Sequence, residues 1–540
     1  MLLRWFSLVG LGAIGAAFFS AGHAAEKPSS PQCPSLASLQ IASSRISLPT
    51  RGAWISSAAM SEPGDPNGAF CKVTGEIRPQ DLRASPIRFQ INLPAHWNRK
   101  AVHFGGGGYD GALVNALSGQ FLGEHDAHPL SLGYVTFGSD SGHQTAPSDP
   151  NPAAFSLNSE DLVNFGGAQL KKVHDVALVV VRQYYGAAPR RIYFYGNSQG
   201  GHEGLTATQR WPQDYDGVVA IHPAYDLTAL QLSGLLLGQA LYDAPGAWIS
   251  PQKLSFLASS IMRKCDELDG LKDGIISNTE ACHTAFSVES LRCEDGNDTG
   301  EECLSDAQIG TVHVFDSAII FGFRLQGGVT GFARWPLLDG AFADFSRFGL
   351  GAKPIPDTPP GLKDAFIYFM ADQLVRFMVM RDPQYNSLRF EPGEHIPQLL
   401  RLSNVVDASN PNLDAFRRRG GKLFLMHGTV DMAIPPGNTI AYYKSLEQRY
   451  GTVALHSFAR FYVAPGFGHG DGSFVASWNS LSALDAWVDQ GTEPSNQIIT
   501  DTSATSSGRS RPLCEYPAWP KYLGAGDPNR ASSFRCAHEP

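Results

Sequence analysis

The chain has 540 residues, of which 43% are hydrophobic and 17% are charged, an ordinary composition for a globular protein. This length is sufficient for two domains or for one domain with a large insertion. The formal net charge of −9 at pH 7 argues against nucleic acid or an anionic membrane surface as a partner, because both are negatively charged themselves.

The N-terminus is predicted to be a secretory signal peptide over residues 1–25. An apolar run begins after Arg4 and ends near Ala21, and small residues lead to a cleavage site near Ala24 or Ala25. The alternative is an uncleaved anchor helix, but no polybasic flank follows the run. No later segment is long and apolar enough to span a bilayer. We therefore expect a secreted or periplasmic protein with no membrane partner after signal cleavage.

The eight cysteines are candidates for disulfide bonds, because an exported chain meets an oxidising compartment. They fall into near-neighbour pairs along the sequence. A zinc site is the alternative, but the sequence contains no C-x-x-C spacing. The simplest connectivity joins Cys33 to Cys71, Cys265 to Cys282, Cys293 to Cys303, and Cys514 to Cys536.

From residue 51 to residue 225, strand patterns alternate with helix patterns. Helices are predicted over residues 168–184 and from the turn after residue 195 to about Arg210. Such alternation is typical of an α/β fold with a mostly parallel sheet. Strands are predicted at residues 86–93, 101–104, 134–137 and 192–195.

The pattern changes between residues 226 and 410, a segment that is rich in aromatic residues and contains four of the cysteines. We interpret this segment as an inserted lid domain. The α/β pattern then resumes, so residues 26–225 and 411–540 are predicted to form one catalytic domain. Its later elements are predicted to be strands at 422–426 and 461–463, an amphipathic closing helix at 473–490, and a Ser/Thr-rich surface connection at 492–511.

The stretch GNSQG at residues 196–200 follows a predicted strand and precedes a predicted helix. This context is typical of a nucleophile elbow, because glycines permit the tight turn and a helix N-terminus favours developing negative charge. The alternative is a small-residue turn with no chemical role. We predict that Ser198 is a nucleophile.

A serine nucleophile needs a base and an acid, which follow it in the order Ser, acid, His in this type of fold. Asp431 lies just after the strand at 422–426, and His469 lies in the glycine-rich stretch PGFGHGDG before the closing helix. The alternatives are a turn residue and a loop histidine. Fallback candidates are His427 and His202 for the base, and Asp407 and Asp414 for the acid.

An oxyanion hole needs the amide of the residue after the nucleophile, here Gln199, and a second amide from an early loop. In the stretch VHFGGGGYDG at residues 102–111, four glycines directly follow a predicted strand and let the backbone approach a substrate carbonyl. A phosphate-binding loop is the alternative, but the Lys-Ser/Thr ending of a P-loop is missing.

An acidic loop, CDELDGLKDGIISN, occupies residues 265–278. Asp266, Asp269 and Asp273 supply hard carboxylate oxygens in an irregular loop, which is what Ca²⁺ prefers. The spacing is not that of an EF-hand. A solvated acidic turn explains the spacing equally well.

Taken together, these motifs resemble the tannase and feruloyl esterase family of α/β-hydrolases, which also includes mono(2-hydroxyethyl) terephthalate hydrolase. The resemblance runs from about Cys33 to Cys536. It is carried by several motifs in order along the chain: HFGGGGYDG, SDSGH, FYGNSQGGHEGL, WPQDYDGVVA, the acidic loop, HGTVDMAIPPGNTIAYY, PGFGHGDG and RPLCEYP.

The resemblance implies an exported carboxylic ester hydrolase with an α/β-hydrolase core and a large inserted lid domain. Its implied substrate is a small ester of an aromatic acid, of gallate, hydroxycinnamate or terephthalate type. All four cysteine pairs resemble family disulfides. The implied site residues are Ser198, Asp431 and His469 for the triad, Gly107 or Gly108 with Gln199 for the oxyanion hole, and Asp266, Asp269 and Asp273 with the carbonyls of Leu271 and Ile275 for a structural Ca²⁺ in the lid.

One departure concerns the loops of the triad. Many relatives carry a disulfide between the positions that Asn197 and Gly470 occupy here, so packing and hydrogen bonds must hold the two loops in this chain.

The alternative functions are a serine peptidase or amidase with the same triad, and a non-catalytic secreted binding protein. Within the lid, the candidate partners for a substrate carboxylate are Arg324, Arg334 and Arg376; a place in the core of the lid explains these residues and the lid aromatics equally well.

Overall fold

The structure is a computed structural model that describes residues 33–119, 128–146, 148–504, 506 and 508–538. The predicted signal peptide at residues 1–25 lies outside the described residues. No helix in the described part of the chain is long and apolar enough to cross a membrane.

A ten-stranded sheet forms the centre of the molecule. The strands of the structure, in chain order, are β1 (Gln40–Ile41), β2 (Ala53–Met60), β3 (Phe70–Ile77), β4 (Ile87–Pro94), β5 (Lys100–Phe104), β6 (Val135–Ser139), β7 (Arg191–Asn197), β8 (Gly217–Ile221), β9 (Ile319–Ile320), β10 (Gly331–Phe332), β11 (Lys422–Gly428), β12 (Ala459–Ala464), β13 (Ala476–Ser477), β14 (Ile498–Asp501), β15 (Ser510–Pro512), β16 (Trp519–Tyr522) and β17 (Phe534–Ala537).

The order of strands in the large sheet is β1-β2-β3-β4-β6-β5-β7-β8-β11-β12. The pairings from β6 to β12 are parallel. Those from β1 to β6 are antiparallel. The sheet is therefore mixed, and the prediction of a mostly parallel sheet is wrong for its N-terminal half.

The strands that were predicted at residues 86–93, 101–104, 134–137 and 192–195 correspond to β4, β5, β6 and β7. The later predicted strands correspond to β11 and β12. The antiparallel strands β2 and β3 are not predicted from the sequence. Serine and alanine, which favour strands weakly, make up much of β2, so tertiary pairing decides its conformation.

Helices cover both faces of the parallel half of the sheet. Alternate residues of β8 point to opposite sides: Val218 packs in the core that includes the helix Gln169–Tyr185, whereas Val219 packs in the core that includes the helix Ser480–Gln490. Burial on both faces explains why such strands read as continuous apolar runs. The helices are α1 (Ser159–Val163), α2 (Gln169–Tyr185), α3 (Gln199–Arg210), α4 (Leu227–Asp243), α5 (Pro251–Cys265), α6 (Thr279–Ala285), α7 (Asp306–Phe315), α8 (Phe342–Phe345), α9 (Phe366–Gln373), α10 (Ile396–Val406), α11 (Asp414–Arg418), α12 (Pro436–Tyr450), α13 (Thr452–His456) and α14 (Ser480–Gln490).

The chain between β8 and β11 contributes no strand to the large sheet within the described residues. It consists of helices, short turns of helix and the two-residue strands β9 and β10, and it builds a hydrophobic core of its own. Many of its aromatic residues are buried, and Trp335 and Phe345 are fully buried in this core. The division into a catalytic domain and a lid at residues 226–410 stays a prediction.

The C-terminal region differs from the prediction. The closing helix begins at Ser480, and residues 476–477 form β13 instead, so the predicted helix over 473–490 is wrong in its first part. The segment at 492–511 is not a simple surface connection, because β14 pairs with both β13 and β15. The buried carboxylate of Asp501 accepts a hydrogen bond from the Val475 amide and holds this small sheet together.

Four disulfide bonds confirm the predicted connectivity and use all eight cysteines. Two lie in the segment between β8 and β11, and the others fasten the two ends of the described chain. The bonds join Cys33 to Cys71, Cys265 to Cys282, Cys293 to Cys303, and Cys514 to Cys536.

Candidate active site

Ser198 occupies a sharp turn between β7 and α3. Its φ of +62° and ψ of −120° are strained for a residue with a side chain, as is typical of a nucleophile elbow. A Cβ atom at Gly196 would lie 2.2 Å from the carbonyl oxygen of Gly200, so the turn requires glycine there. The amide of Ser198 donates to the carbonyl of Ile221 at 2.9 Å, which fixes the turn to the end of β8.

A hydrogen-bonded chain runs from Ser198 through His469 to Asp431. The Oγ atom of Ser198 lies 2.9 Å from Nε2 of His469, and Nδ1 of His469 lies 2.8 Å from Oδ2 of Asp431. In this geometry the imidazole can accept the hydroxyl proton while the carboxylate holds the opposite nitrogen. The fold thus brings together the three side chains predicted from the sequence, while their catalytic roles stay a prediction.

Asp431 is completely buried just after β11. Its Oδ1 accepts hydrogen bonds from the amides of Ala433 and Ile434 at 2.8 and 3.0 Å, so Oδ2 is left to face His469. Burial by itself raises the pKa of this carboxyl group. The charge of His469 and hydrogen bonds from His427 and His469 outweigh burial and hold the pKa of Asp431 well below its usual range.

The loop that carries His469 connects β12 to β13 and packs on the end of β11. A Cβ atom at Gly428 would lie 2.0 Å from the carbonyl oxygen of Phe467, so the two segments approach as closely as glycine allows. The hydroxyl of Thr429 accepts a hydrogen bond from the amide of Gly466 at 3.0 Å. These contacts place the histidine above the carboxyl ends of the parallel strands.

The fallback candidates have other partners. The ring of His427 lies 2.8 Å from both Thr439 Oγ1 and the Ile434 carbonyl, and that of His202 lies 3.1 Å from Gln199 Oε1. Asp407 accepts hydrogen bonds from Thr228, and Asp414 forms an ion pair with Arg449. Of the fallback side chains, only His427 touches the triad, at 3.3 Å from Asp431 Oδ2.

Two of the residues proposed for the oxyanion hole lie beside Ser198. Gly108 and Gln199 both line the pocket there, and neither of their N–H groups donates a hydrogen bond within the described part of the chain. The amides of Gly105 and Gly106, by contrast, are occupied by protein acceptors. Unoccupied amides aimed at one point are what an oxyanion requires. Gly107, the other candidate, is not part of the pocket lining.

A pocket of about 400 Å³ opens next to Ser198 and His469. This volume suits a small organic molecule. Its wall opposite the triad comes from the segment between β8 and β11 and is largely apolar. The aromatic and cationic side chains in this wall are Trp335, Phe348, Phe366 and Arg347.

Arg347 was not among the arginines predicted to meet a substrate. Its guanidinium lies 5.3 Å from the ring centre of Phe348 and 5.8 Å from that of Phe366. The arginines predicted from the sequence do not line the pocket: Arg376 forms a buried ion pair with Asp372, Arg334 pairs with Asp316 and Asp339, and Arg324 lies on the surface. The sequence carries no signal for Arg347, because the pocket that it lines is completed by residues distant in the chain, such as Phe366 and His469.

A pair of carboxylates under the glycine loop was also missed. Glu203 accepts hydrogen bonds from the Gly106 amide at 2.8 Å and from Gln169 at 2.7 Å, and Ser141 donates to Asp110 at 2.8 Å. Burial raises the pKa of Asp110 to about 7. Burial, followed by the charge of Asp110, holds the pKa of Glu203 well above its usual range. Through the hydrogen bond from the Gly106 amide, this pair of carboxyl groups fixes the glycine loop.

The acidic loop at residues 265–278 offers the donor atoms of a candidate calcium site. Asp266 and Asp269 are buried, and burial raises the pKa of Asp269 to about 6, with the charge of Asp273 adding to the effect. Several carboxylates crowded in one loop favour a cation with hard oxygen ligands, so the donor chemistry fits Ca²⁺.

The positions of these carboxylates do not by themselves form a metal site. Arg511 binds Asp273 Oδ2 at 2.6 Å, and the amides of Gly274 and Ser277 donate to Asp266 and Asp269. The acidic loop does not bring three acidic ligand atoms within 4.8 Å of one another. The calcium ligands, including the carbonyls of Leu271 and Ile275, therefore stay a prediction.

Comparison with known proteins gives a consistent result. Residues 71–537 match the family model described as tannase and feruloyl esterase. The chain is 39% identical over 521 residues to an uncharacterised esterase of Agrobacterium fabrum, covering 94% of this chain and 93% of that protein. It is 30% identical to the mono(2-hydroxyethyl) terephthalate hydrolase of Piscinibacter sakaiensis, covering 90% of this chain and 87% of that protein.

Solved structures show the same fold at lower sequence identity. Feruloyl esterase B from Aspergillus oryzae superposes with a TM-score of 0.75 at 23% identity, covering 94% of this chain and 99% of that one. Tannin acyl hydrolase from Aspergillus niger superposes with a TM-score of 0.69 at 18% identity, covering 92% and 94%. The predicted α/β-hydrolase class is confirmed.

Proposed function

The chain belongs to the tannase and feruloyl esterase family and is a carboxylic ester hydrolase, and from this premise we propose that it cleaves esters of small aromatic acids through an acyl-enzyme on Ser198. The hydroxyl oxygen of Ser198 attacks the ester carbonyl, and its proton passes to Nε2 of His469. Asp431 stabilises the resulting imidazolium. The amides of Gly108 and Gln199 donate to the oxyanion.

Collapse of the tetrahedral intermediate breaks the bond to the alcohol oxygen, which takes the proton from His469 as it leaves. Water then attacks the acyl-enzyme and gives its proton to the same histidine, and the acid is released as Ser198 regains its proton. The observation that carries this mechanism is the continuous chain of 2.9 and 2.8 Å contacts from Ser198 to Asp431.

The acyl group occupies the pocket of about 400 Å³. Flat apolar walls formed by Phe348, Phe366 and Trp335 suit an aromatic ring, and relatives include a feruloyl esterase and a terephthalate monoester hydrolase. Gallate, hydroxycinnamate and terephthalate esters are all within the proposed class. Arg347 supplies a positive charge at the pocket wall, which favours acyl groups that carry a carboxylate.

Ca²⁺ is proposed as a structural ion, held by Asp266, Asp269 and Asp273 with the carbonyls of Leu271 and Ile275. Such an ion neutralises the crowded carboxylates and fixes the loop between the disulfide partners Cys265 and Cys282. We further propose that the protein is exported, since four disulfides require an oxidising compartment to form.

The test is a kinetic panel of gallate, hydroxycinnamate and terephthalate esters with the native protein and with Ser198→Ala. We expect hydrolysis of at least one class by the native protein and a loss of at least about 10³-fold in kcat for the variant. A folded Ser198→Ala protein that retained the native rate would refute the mechanism. Amides in the same panel distinguish an esterase from a peptidase.

A further inference from the structure

His222 is a buried histidine that lies beside the triad. Oδ1 of Asn197, the residue directly before the nucleophile, lies 2.9 Å from Nδ1 of His222. The ring of His222 is completely buried, with its centre 5.4 Å from that of His469 and 4.8 Å from that of Phe467. One ring nitrogen lies within 4.8 Å of ligand atoms of both Asp431 and His469. His222 therefore lies beside both the base and the acid, and it is hydrogen-bonded to the neighbour of the nucleophile.

The backbone of His222 is held in an unfavourable conformation. Its φ is +43°, a region that side-chain-bearing residues rarely adopt, and the next residue, Pro223, restricts it further. Such strain persists only where surrounding contacts determine the conformation. One of these contacts is the hydrogen bond from the amide of His222 to the carbonyl of Met426 at 2.9 Å. The strained position turns the side chain towards the triad.

The charge and tautomer of His222 follow from its surroundings. The amide oxygen of Asn197 can only accept a hydrogen bond, so Nδ1 of His222 carries the proton. The titratable groups that face the ring are Asp431, His427 and His469. Burial, supported by the two histidines and opposed by Asp431, holds the pKa of His222 well below its usual value. A neutral ring with a fixed tautomer excludes water from Asp431 without adding a charge.

No disulfide links the loops of Ser198 and His469, since all eight cysteines pair elsewhere. We propose that Asn197 and His222 form a positioning pair, which holds the ring of His469 against Asp431 and in line with Ser198. This inference rests on the proposed function and extends it by two residues that do not touch the substrate. In this proposal, a hydrogen bond and the packing of rings connect the end of β7 to the base, His469.

The experiment is a double-mutant cycle with Asn197→Leu, His222→Leu and the double variant, measured on the best ester of the panel. The matched control is His103→Leu, because His103 is also buried and hydrogen-bonded to a side chain, Tyr215, but contacts no member of the triad. Active sites are counted by fluorophosphonate titration, and folding is checked by thermal melting. His222→Gln is the conservative variant, because its side-chain amide supplies a neutral hydrogen-bond donor to Asn197 in place of the imidazole.

Each single variant is expected to lower kcat per labelled site at least tenfold with KM unchanged within a factor of two. The double variant should be no worse than the worse single variant, because the two residues act as a unit. The acid limb of the profile of kcat against pH should move to lower pH. The reason is that His469, when held less closely by Asp431, has a lower pKa and is protonated less readily. His222→Gln should recover part of kcat, and His103→Leu should lose stability only.

Losses in melting temperature with native kcat, additive effects of the two substitutions, or an unchanged acid limb would overturn the positioning pair. Asn197→Leu keeps the test decisive if His222→Leu does not fold, because Asn197 is only half-buried at the end of its strand. Failure of the proposed function is distinguishable: the native protein would then hydrolyse no ester or take no label on Ser198.

Discussion

The carboxyl edge of the large sheet and the segment between β8 and β11 face the same pocket but are built differently. At the sheet edge, short loops follow β7, β11 and β12, and backbone hydrogen bonds fix the side chains of Ser198, Asp431 and His469. The other wall comes from short helices and turns, and it presents Trp335, Arg347, Phe348 and Phe366. The geometry of the first wall depends on the sheet, and that of the second depends on packing within the segment itself.

This difference assigns the reaction chemistry to one wall and recognition of the acyl group to the other. Changes at the sheet edge should therefore reduce kcat for every ester. Changes in the opposite wall should alter the ranking of esters and leave the chemistry in place.

The largest effect is expected from Asp431→Asn, which keeps the shape but removes the charge that stabilises the imidazolium of His469. We expect kcat to fall on the order of 10³–10⁴-fold for all esters with little change in KM. Asp407→Asn is the control, because Asp407 is equally buried but bonds Thr228 and Ser403. Similar kinetics for the two variants would contradict the division between the walls.

Arg347→Gln tests the opposite wall. Loss of the positive charge should lower kcat/KM about 10-fold or more for a terephthalate monoester, which carries a free carboxylate, and change it less than about threefold for a neutral ferulate ester. Arg324→Gln in the same segment is the control, since Arg324 is exposed and outside the pocket. An equal loss for both esters would assign Arg347 a structural role.

Calcium removal should affect the stability of the inserted segment and not the triad. Chelation with EGTA is expected to lower the melting temperature by several degrees, because ligand binding to the folded state alone is lost. Added Ca²⁺ should restore it, and Asp269→Asn should abolish the response. A melting curve that chelation leaves unchanged would show that the loop holds no structural Ca²⁺.

The smallest effect concerns the carboxylate pair beneath the glycine loop. Burial raises the pKa of Asp110 to about 7, so its stabilising contribution is complete below pH 4 and is lost as the pH rises towards 7. Asp110→Asn, which cannot ionise, should raise the melting temperature relative to the native protein by a few degrees at pH 8 but not at pH 4. A difference that does not vary with pH would show that Asp110 is already ionised at pH 4.

The difference between the two walls of the pocket also explains which site residues can be predicted from the sequence. Ser198, Asp431 and His469 are recognisable because each follows a buried strand, and strand order places such loops together. The disulfides are recognisable because their cysteines are near neighbours in the chain. Arg347 has no local pattern, since its role depends on how one short helix packs against another.

Other features that the sequence does not predict also depend on contacts between distant parts of the chain. The strand β13 lies inside a stretch that is compatible with a helix, and only pairing with β14 decides its conformation. His222 follows an ordinary buried strand, and its place beside His469 depends on three loops that are far apart in the sequence. Features that local sequence determines are predictable here, whereas those that depend on long-range packing require the structure.

The most direct test of the central claim is stoichiometric labelling with a fluorophosphonate, followed by peptide mapping. We expect one label per chain, located on Ser198, with ester hydrolysis lost in proportion to labelling and no label on Ser198→Ala. Full hydrolytic activity in a protein that takes no label, or a label on another serine that abolishes activity, would contradict it.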